Sequence, residues 1–263
     1  MTTSSYISSI SNPKIKWLRK LLADRKTRDE AGLFVAEGIR LVEDAVTIGW
    51  QPVSLFYAED LGQRGSKIVE AVTSPEKFVL SAELMQRVAG TDTSQGLIAV
   101  FTRPVYAQQK NLDFVLIADN IRDPGNLGTL LRSAASAGVL LCLVSPQSVD
   151  VWSPKVIRAG MGAHFHLPVQ QLSWDEIEQT CLRRDPPLTV MMAEAEVGTP
   201  YWDANLNAPV ALLIGSEAEG PSSEGRQMAS QSVSIPMPGN FESLNAAIAG
   251  SILLFEAVRQ RSK

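Results

Sequence analysis

The 263 residues are 45% apolar and 20% charged, with 18 Gly and 15 Pro, which suits a packed globular chain and excludes collagen-like, coiled-coil and largely disordered ones. Taken over the whole chain, the formal charge of −4 argues against a generic polyanion binder. That charge is uneven: residues 1–110 hold 14 Lys/Arg against 12 Asp/Glu, and residues 111–263 hold 10 against 16.

Met1–Ser11 has no charged n-region or apolar core, so no signal peptide is visible. Asn12-Pro13 reads as a helix cap followed by proline at the first helical position. Ile15, Leu18, Leu21 and Leu22 then form one apolar stripe at helical spacing. Through residue 28 the same stretch carries Lys14, Lys16, Arg19, Lys20, Arg25, Lys26 and Arg28 against the single acid Asp24. Such a face is either solvated or tracks phosphates.

Strand-like runs follow at Leu33–Ala36, Val53–Tyr57, Phe78–Leu80 and Leu97–Phe101. Helical stretches fall after Gly38 and at Gly65–Val72 and Ala82–Val88. Arg103–Asn111 has no periodicity, so the expected division is a first domain over 1–104, a linker over 105–111 and a second domain over 112–263. In the second domain the apolar runs Phe114–Ala118, Val139–Val144, Leu188–Ala193 and Ala211–Ile214 have the length of buried parallel strands. Helices are expected at Leu127–Ala137, Trp174–Arg183, Glu224–Ser230 and Leu244–Arg261. The alternation implies a parallel sheet, whose ligands sit at the carboxyl ends of strands.

Three loops at such ends carry the chemistry. Asp119–Gly128 makes a strand-to-helix turn with free N–H groups, and the helix it opens has Leu127, Leu130, Leu131, Ala134 and Gly138 on its stripe, with Arg132 on the polar side. Gly215–Pro221 brackets Glu217 and Glu219 with glycines, which suits a ligand bearing positive charge or hydroxyls; a plain turn is the alternative. Pro221 is expected to start the next helix. Ile235–Asn245 keeps backbone groups out of ladders through two prolines, and Ser243 is a candidate cap for a helix rich in small residues, either core or a subunit contact. Its apolar run Ser243–Phe255 is too short to span a bilayer, so a cytoplasmic protein without a membrane partner is expected.

Other sites fail on spacing. Cys142 and Cys181 fit neither a disulfide framework nor a zinc motif. His164 and His166 share a face of an expected strand, with no third His to complete a metal site. Gly160-Met161-Gly162 lacks the third glycine of a dinucleotide fingerprint.

Asp123-Pro124-Gly125-Asn126-Leu127-Gly128 through Arg132-Ser133-Ala134 resembles the first motif of the SpoU (TrmH-like) RNA ribose 2′-O-methyltransferases. Gly215-Ser216-Glu217-Ala218-Glu219-Gly220 is similar to their second motif, and Ile235-Pro236-Met237 through Ser243-Leu244-Asn245-Ala246-Ala247 to their third. Phe34–Gly38 and Thr93–Gly96 resemble the substrate-binding domain often fused to them. Departures are Ser133 for the usual Thr and Ala246-Ala247 for Val-Ser.

The resemblance implies an α/β chain whose C-terminal parallel-sheet catalytic domain ends in a trefoil knot, with a smaller N-terminal α/β domain of the ribosomal L30e type. It implies S-adenosylmethionine as cofactor, held by Gly215, Ser216, Glu217, Gly220, Ile235, Met237, Leu244 and Asn245. It also implies that Arg132 acts on the ribose hydroxyl. Because an isolated arginine is a poor base, the expectation here is that Arg132 instead binds an RNA phosphate and eases loss of the hydroxyl proton, with Asn126, Glu217, Ser243 and Asn245 fixing geometry as the rest of the catalytic set. Lys14, Lys16, Arg19, Lys20, Arg25, Lys26 and Arg40 would meet RNA, and Trp152, Lys155 and Arg158 either add contacts or serve structure. A homodimer through the catalytic domain and no metal complete the expectation. A separate N-terminal domain resembles the ribosomal-RNA members more than the tRNA ones. The alternatives are a tRNA ribose methyltransferase, a non-catalytic RNA-binding or ribosome-assembly protein on this fold, and a small-molecule nucleotide binder.

Overall fold

The computed structural model describes residues 4–262 except 74–75, 91–92, 108–110, 196 and 240–242. Part of the expected linker, Gln108–Lys110, therefore lies outside the described residues. The chain forms two units, Met1–Val105 with Trp152–Phe165, and Tyr106–Val151 with His166–Lys263. A cut at one linker misses this: a segment from the middle of the second half packs with the first unit.

The first unit runs β1 (Ser5–Ile7), α1 (Pro13–Ala23), α2 (Arg25–Ala31), β2 (Leu33–Glu37), α3 (Ile39–Thr47), β3 (Ser54–Ala58), α4 (Gly62–Ala71), β4 (Glu76–Leu80), α5 (Ala82–Val88) and β5 (Leu97–Thr102). Its sheet has the order β1-β4-β3-β5-β2, parallel from β1 to β3 and antiparallel beyond. Asn12 caps α1 by accepting from the Lys14 N–H at 2.9 Å, and Ile15, Leu18 and Leu21 enter the core with Val35, Phe56, Leu80 and Ile98. The single basic helix expected through residue 28 breaks at Asp24. Its extended backbone ends α1, and its carboxylate accepts from the Thr27 N–H at 2.8 Å to start α2. Arg28 is consequently buried, donating to the Leu21 carbonyl at 2.6 Å.

The inserted segment holds α7 (Pro154–Ala159) and the start of α8 (Ala163–His166). His164 and His166 are thus helical, not on a strand, and His164 lies 5.4 Å from the Trp152 ring. Trp152 and Phe165 approach the buried Phe34 to 5.0 and 5.8 Å between ring centres, with Phe101 stacked at 5.5 Å on the same ring. Arg103 lies over the Trp152 ring, and Arg158 reaches Glu37 at 3.9 Å. Trp152 therefore serves the core. Trp152→Ala should destabilise the first unit by about 3–5 kcal/mol, as truncation of a buried aromatic does. Urea denaturation followed by tryptophan fluorescence checks this; an unmoved midpoint would show that the cluster contributes little.

The second unit continues with β6 (Phe114–Ala118), α6 (Pro124–Ser136), β7 (Leu141–Val144), β8 (Val169–Gln171), α9 (Trp174–Cys181), β9 (Thr189–Glu194), β10 (Thr199–Pro200), β11 (Val210–Ile214), α10 (Ser223–Met228), β12 (Gln231–Ser234) and α11 (Ala246–Arg261). Its sheet is parallel throughout, in the order β10-β12-β9-β11-β6-β7-β8. The central strands β6 and β11 are buried at every residue, which is why they read as unbroken apolar runs. Helix α11 packs closely on α6: a Cβ at Gly250 would fall 2.4 Å from Leu130 Cδ1. Gly138 does not join the stripe of α6; it follows the helix end with φ +75°.

Cys142 and Cys181 are buried, free thiols, and burial pushes Cys181 up to about 12. Among the described residues no helix is long and apolar enough to cross a membrane.

Candidate active site

The three motif loops follow β6, β11 and β12 at the carboxyl ends of one parallel sheet, β11 beside β6 and β12 separated from β11 by β9, where open α/β sheets hold ligands. After β6, Asp123 caps α6 by accepting from the Asn126 N–H at 2.8 Å. After β11, the loop from Gly215 folds on itself: the Ser216 N–H donates to the Gly220 carbonyl at 3.1 Å and the Gly220 N–H to the Ser216 carbonyl at 2.9 Å. Only glycine fits at 215, because a Cβ there would lie 2.3 Å from Pro221 N. Proline 221 does not itself begin the next helix; Ser222 caps α10 by accepting from the Gly225 N–H at 3.1 Å. Asp119 anchors this turn, accepting from the Ser222 N–H at 2.7 Å. Burial raises the Asp119 carboxyl above its ordinary range, while hydrogen bonds from Ser222 draw it back.

The third loop delivers Asn245, and here the cap differs from expectation. Asn245 rather than Ser243 caps α11, accepting from Ala247 N–H at 3.0 Å and Ile248 N–H at 3.2 Å. Its amide nitrogen donates to Asn126 Oδ1 at 3.0 Å and to Glu217. Glu217 Oε1 also accepts from Asn126 Nδ2 at 2.8 Å and from the Ala246 N–H at 3.0 Å. One carboxylate oxygen thus ties all three motifs together. Among the described residues nothing bonds Glu217 Oε2, which leaves an acceptor for a ligand.

Beside this junction is a cavity of about 410 Å³. Gly215, Ser216, Glu217, Gly220, Ile235, Met237, Ser243 and Leu244 line it; Asn245 does not. Glu194 and Arg226, which form an ion pair, also line it, and sequence reading missed both. The only signal for Glu194 was its place at the end of a buried strand. Among the described residues, three carboxylates (Glu194, Glu217, Glu219) against one guanidinium make the wall acidic, with Ile235, Met237 and Leu244 as apolar surface. Arg132 stands apart, exposed on α6 and lining neither this cavity nor its smaller neighbour.

Comparison with known proteins fits this geometry. The profile of the SpoU rRNA Methylase family matches residues 113–255, and that of the MRM3-like substrate binding domain matches residues 12–99. Mitochondrial rRNA methyltransferase 3 of Homo sapiens is 31% identical over 91% of this chain and 70% of its own length. The chain belongs to the SpoU rRNA methylase family. Within that family, the 23S rRNA (uridine(2479)-2'-O)-methyltransferase of Streptomyces viridochromogenes is 29% identical over 95% of this chain and 91% of its own. The crystal structure of the SpoU methyltransferase AviRb from the same organism, in complex with AdoMet, superposes with a TM-score of 0.89 at 29% identity. It covers 96% of this chain and 99% of that one.

Of the residues expected to meet RNA, Lys14 pairs with Glu76, Arg25 with Asp29 at 3.3 Å and Lys26 with Glu30 at 3.8 Å. Lys16, Arg19, Lys20 and Arg40 are exposed, with no ion pair among the described residues.

Proposed function

We propose that this chain transfers the methyl group of S-adenosylmethionine to a ribose 2′-OH of ribosomal RNA. The observation that carries the reading is the meeting of Asn126, Glu217 and Asn245, one from each motif loop, beside an acidic, partly apolar cavity. Those residues fit the cofactor. The carboxylates suit its sulfonium charge, Ile235, Met237 and Leu244 suit a heterocycle, and Gly215 keeps open a turn that any Cβ would block.

When bound, the cofactor supplies a methyl group already activated for attack by an alcohol. The chain's own task is then alignment and proton handling. Glu217 Oε1 fixes the Asn126 and Asn245 amides, and its free Oε2 is available to accept from the ribose hydroxyl. A free guanidinium is too weak an acid to serve as base at neutral pH, so Arg132 acts by holding phosphate and stabilising the developing alkoxide.

Three finer features belong to the same reading. The trefoil knot is supported by the parallel order β9-β11-β6 and by the convergence of the three loops. The L30e type of the first unit is supported by its mixed α/β sheet. Homodimerisation is supported by Ile248 and Phe255, seven residues apart on one face of α11 and each about half exposed. Ribosomal rather than transfer RNA is favoured because the rRNA-directed relatives match across both units.

Methyl transfer from radiolabelled cofactor to rRNA extracted from cells lacking the gene, followed by nucleotide-resolution mapping, tests the assignment. One ribose site should gain label; label confined to tRNA, or absent from all RNA, would overturn it. Lys16, Arg19 and Lys20 supply the electrostatic arm. Replacing all three by alanine should weaken rRNA binding on the order of tenfold and flatten its dependence on salt concentration. Filter binding across a KCl series reads both.

A further inference from the structure

A second cavity of about 180 Å³ adjoins the first, and Ser216, Glu217, Glu219 and Ala246 line both. Among the described residues, Arg122 is the sole basic side chain on the smaller one. Its Nη1 donates to Glu219 Oε1 at 3.0 Å and its Nη2 to Glu219 Oε2 at 2.9 Å, while its Nε donates to Asn120 Oδ1 at 3.1 Å. Asn120 closes the ring by donating from Nδ2 to Glu219 Oε2 at 2.9 Å.

Two facts set this ring apart from ordinary surface pairing. Asn120 is only 6% exposed and holds φ at +56°, a left-handed turn that asparagine adopts more readily than other non-glycine residues and that aims its amide at Glu219. Yet the pair it supports is exposed, with Arg122 and Glu219 side chains 64% and 54% accessible, where ion pairs add little to folding stability. The loop thus presents a bidentate arginine at the mouth of a cavity without a matching gain in stability.

We propose that Arg122 binds an RNA phosphate at the smaller cavity, with Glu219 holding the guanidinium in place until the phosphate displaces it. The proposal rests on the rRNA-methyltransferase reading. A phosphodiester presents two oxygens to the same guanidinium fork that a carboxylate fills, so the exposed Arg122 can swing from Glu219 to a phosphate and keep bidentate geometry. Without that cation, Glu217 and Glu219 would repel a phosphate along this wall. After the exchange Glu219 keeps its bond from Asn120, so the second-motif loop and the cofactor cavity it lines stay in place.

The test uses the full-length protein, rRNA from cells lacking the gene, and S-adenosylmethionine, with RNA affinity read by filter binding over a KCl series and cofactor affinity by calorimetry. Arg122→Ala should weaken rRNA binding roughly fivefold and lower the salt slope by about one, leaving cofactor affinity within about twofold. Its KM for rRNA should rise by a larger factor than kcat falls. Glu219→Gln, which frees the guanidinium while keeping an acceptor for Asn120, should tighten rRNA binding about two- to threefold. An unchanged salt slope in Arg122→Ala, or a loss of cofactor affinity equal to the loss of RNA affinity, would overturn the proposal and make the ring a loop clamp. A wild-type protein that neither binds nor methylates rRNA would overturn the functional reading, and this proposal with it.

Discussion

Glu217→Ala should lower methyl transfer to rRNA by about 10²- to 10³-fold while leaving thermal stability close to wild type. The size follows from what one oxygen does. Glu217 Oε1 accepts from Asn126 Nδ2, Asn245 Nδ2 and Ala246 N, so its removal frees two amides that otherwise have fixed directions. The fold is spared because Asn245 Oδ1 still caps α11, Asp123 still caps α6, and Glu217 is an exposed side chain on a self-closed turn. Glu217→Gln should recover only part of the loss. It restores the acceptor at the Oε1 position but puts an NH₂ group where Oε2 would accept from the ribose hydroxyl, and it removes the negative charge facing the cofactor. Single-turnover rates with saturating cofactor separate this effect from weaker cofactor binding; activity within threefold of wild type for Glu217→Ala would remove Glu217 from the mechanism.

Local chemistry made much of the fold legible. Asn12-Pro13 marked the start of α1, the run Phe114–Ala118 is β6 to the residue, and Ala82–Val88 is α5. Each signal lies within a few residues of the element it specifies. What escaped depends on distant partners. The stretch Trp152–Phe165 belongs to the first unit because Phe34 and Phe101 receive its aromatic rings, and no periodicity records that. The α1–α2 break turns on whether Asp24 caps or continues a helix, a choice its own sequence context leaves open. For the site, residue types and loop ends could be read, and similarity to a family grouped them. The contacts that join Asn126 to Glu217, and Arg122 to Glu219, bridge 91 and 97 residues and appear only once the strands are ordered β11 beside β6. Glu219, read as one of two acids awaiting a cationic or hydroxylic ligand, already has an arginine partner.

Arg132 leads to the other large effect. It sits six residues beyond Asn126 on α6, which turns it about 120° away from the Asn126 face. It is exposed, lines neither cavity, and makes no ion pair or side-chain hydrogen bond to Glu217 among the described residues. Its neighbour Ser133 bonds Ser251 of α11 at 2.7 Å, on the helix face that carries the exposed Ile248 and Phe255. If that face joins two copies, as proposed, Arg132 is placed to reach the partner's site. Arg132→Ala alone should then lower activity by about 10²-fold with cofactor binding intact. Differently tagged Arg132→Ala and Glu217→Ala chains, co-expressed and mixed at random, should recover about a quarter of wild-type activity. Half the dimers are mixed, and each mixed dimer contains one site with both residues present. An arginine acting within its own chain restores nothing under the same mixing, so the purified heterodimer decides between the two arrangements by its rate alone.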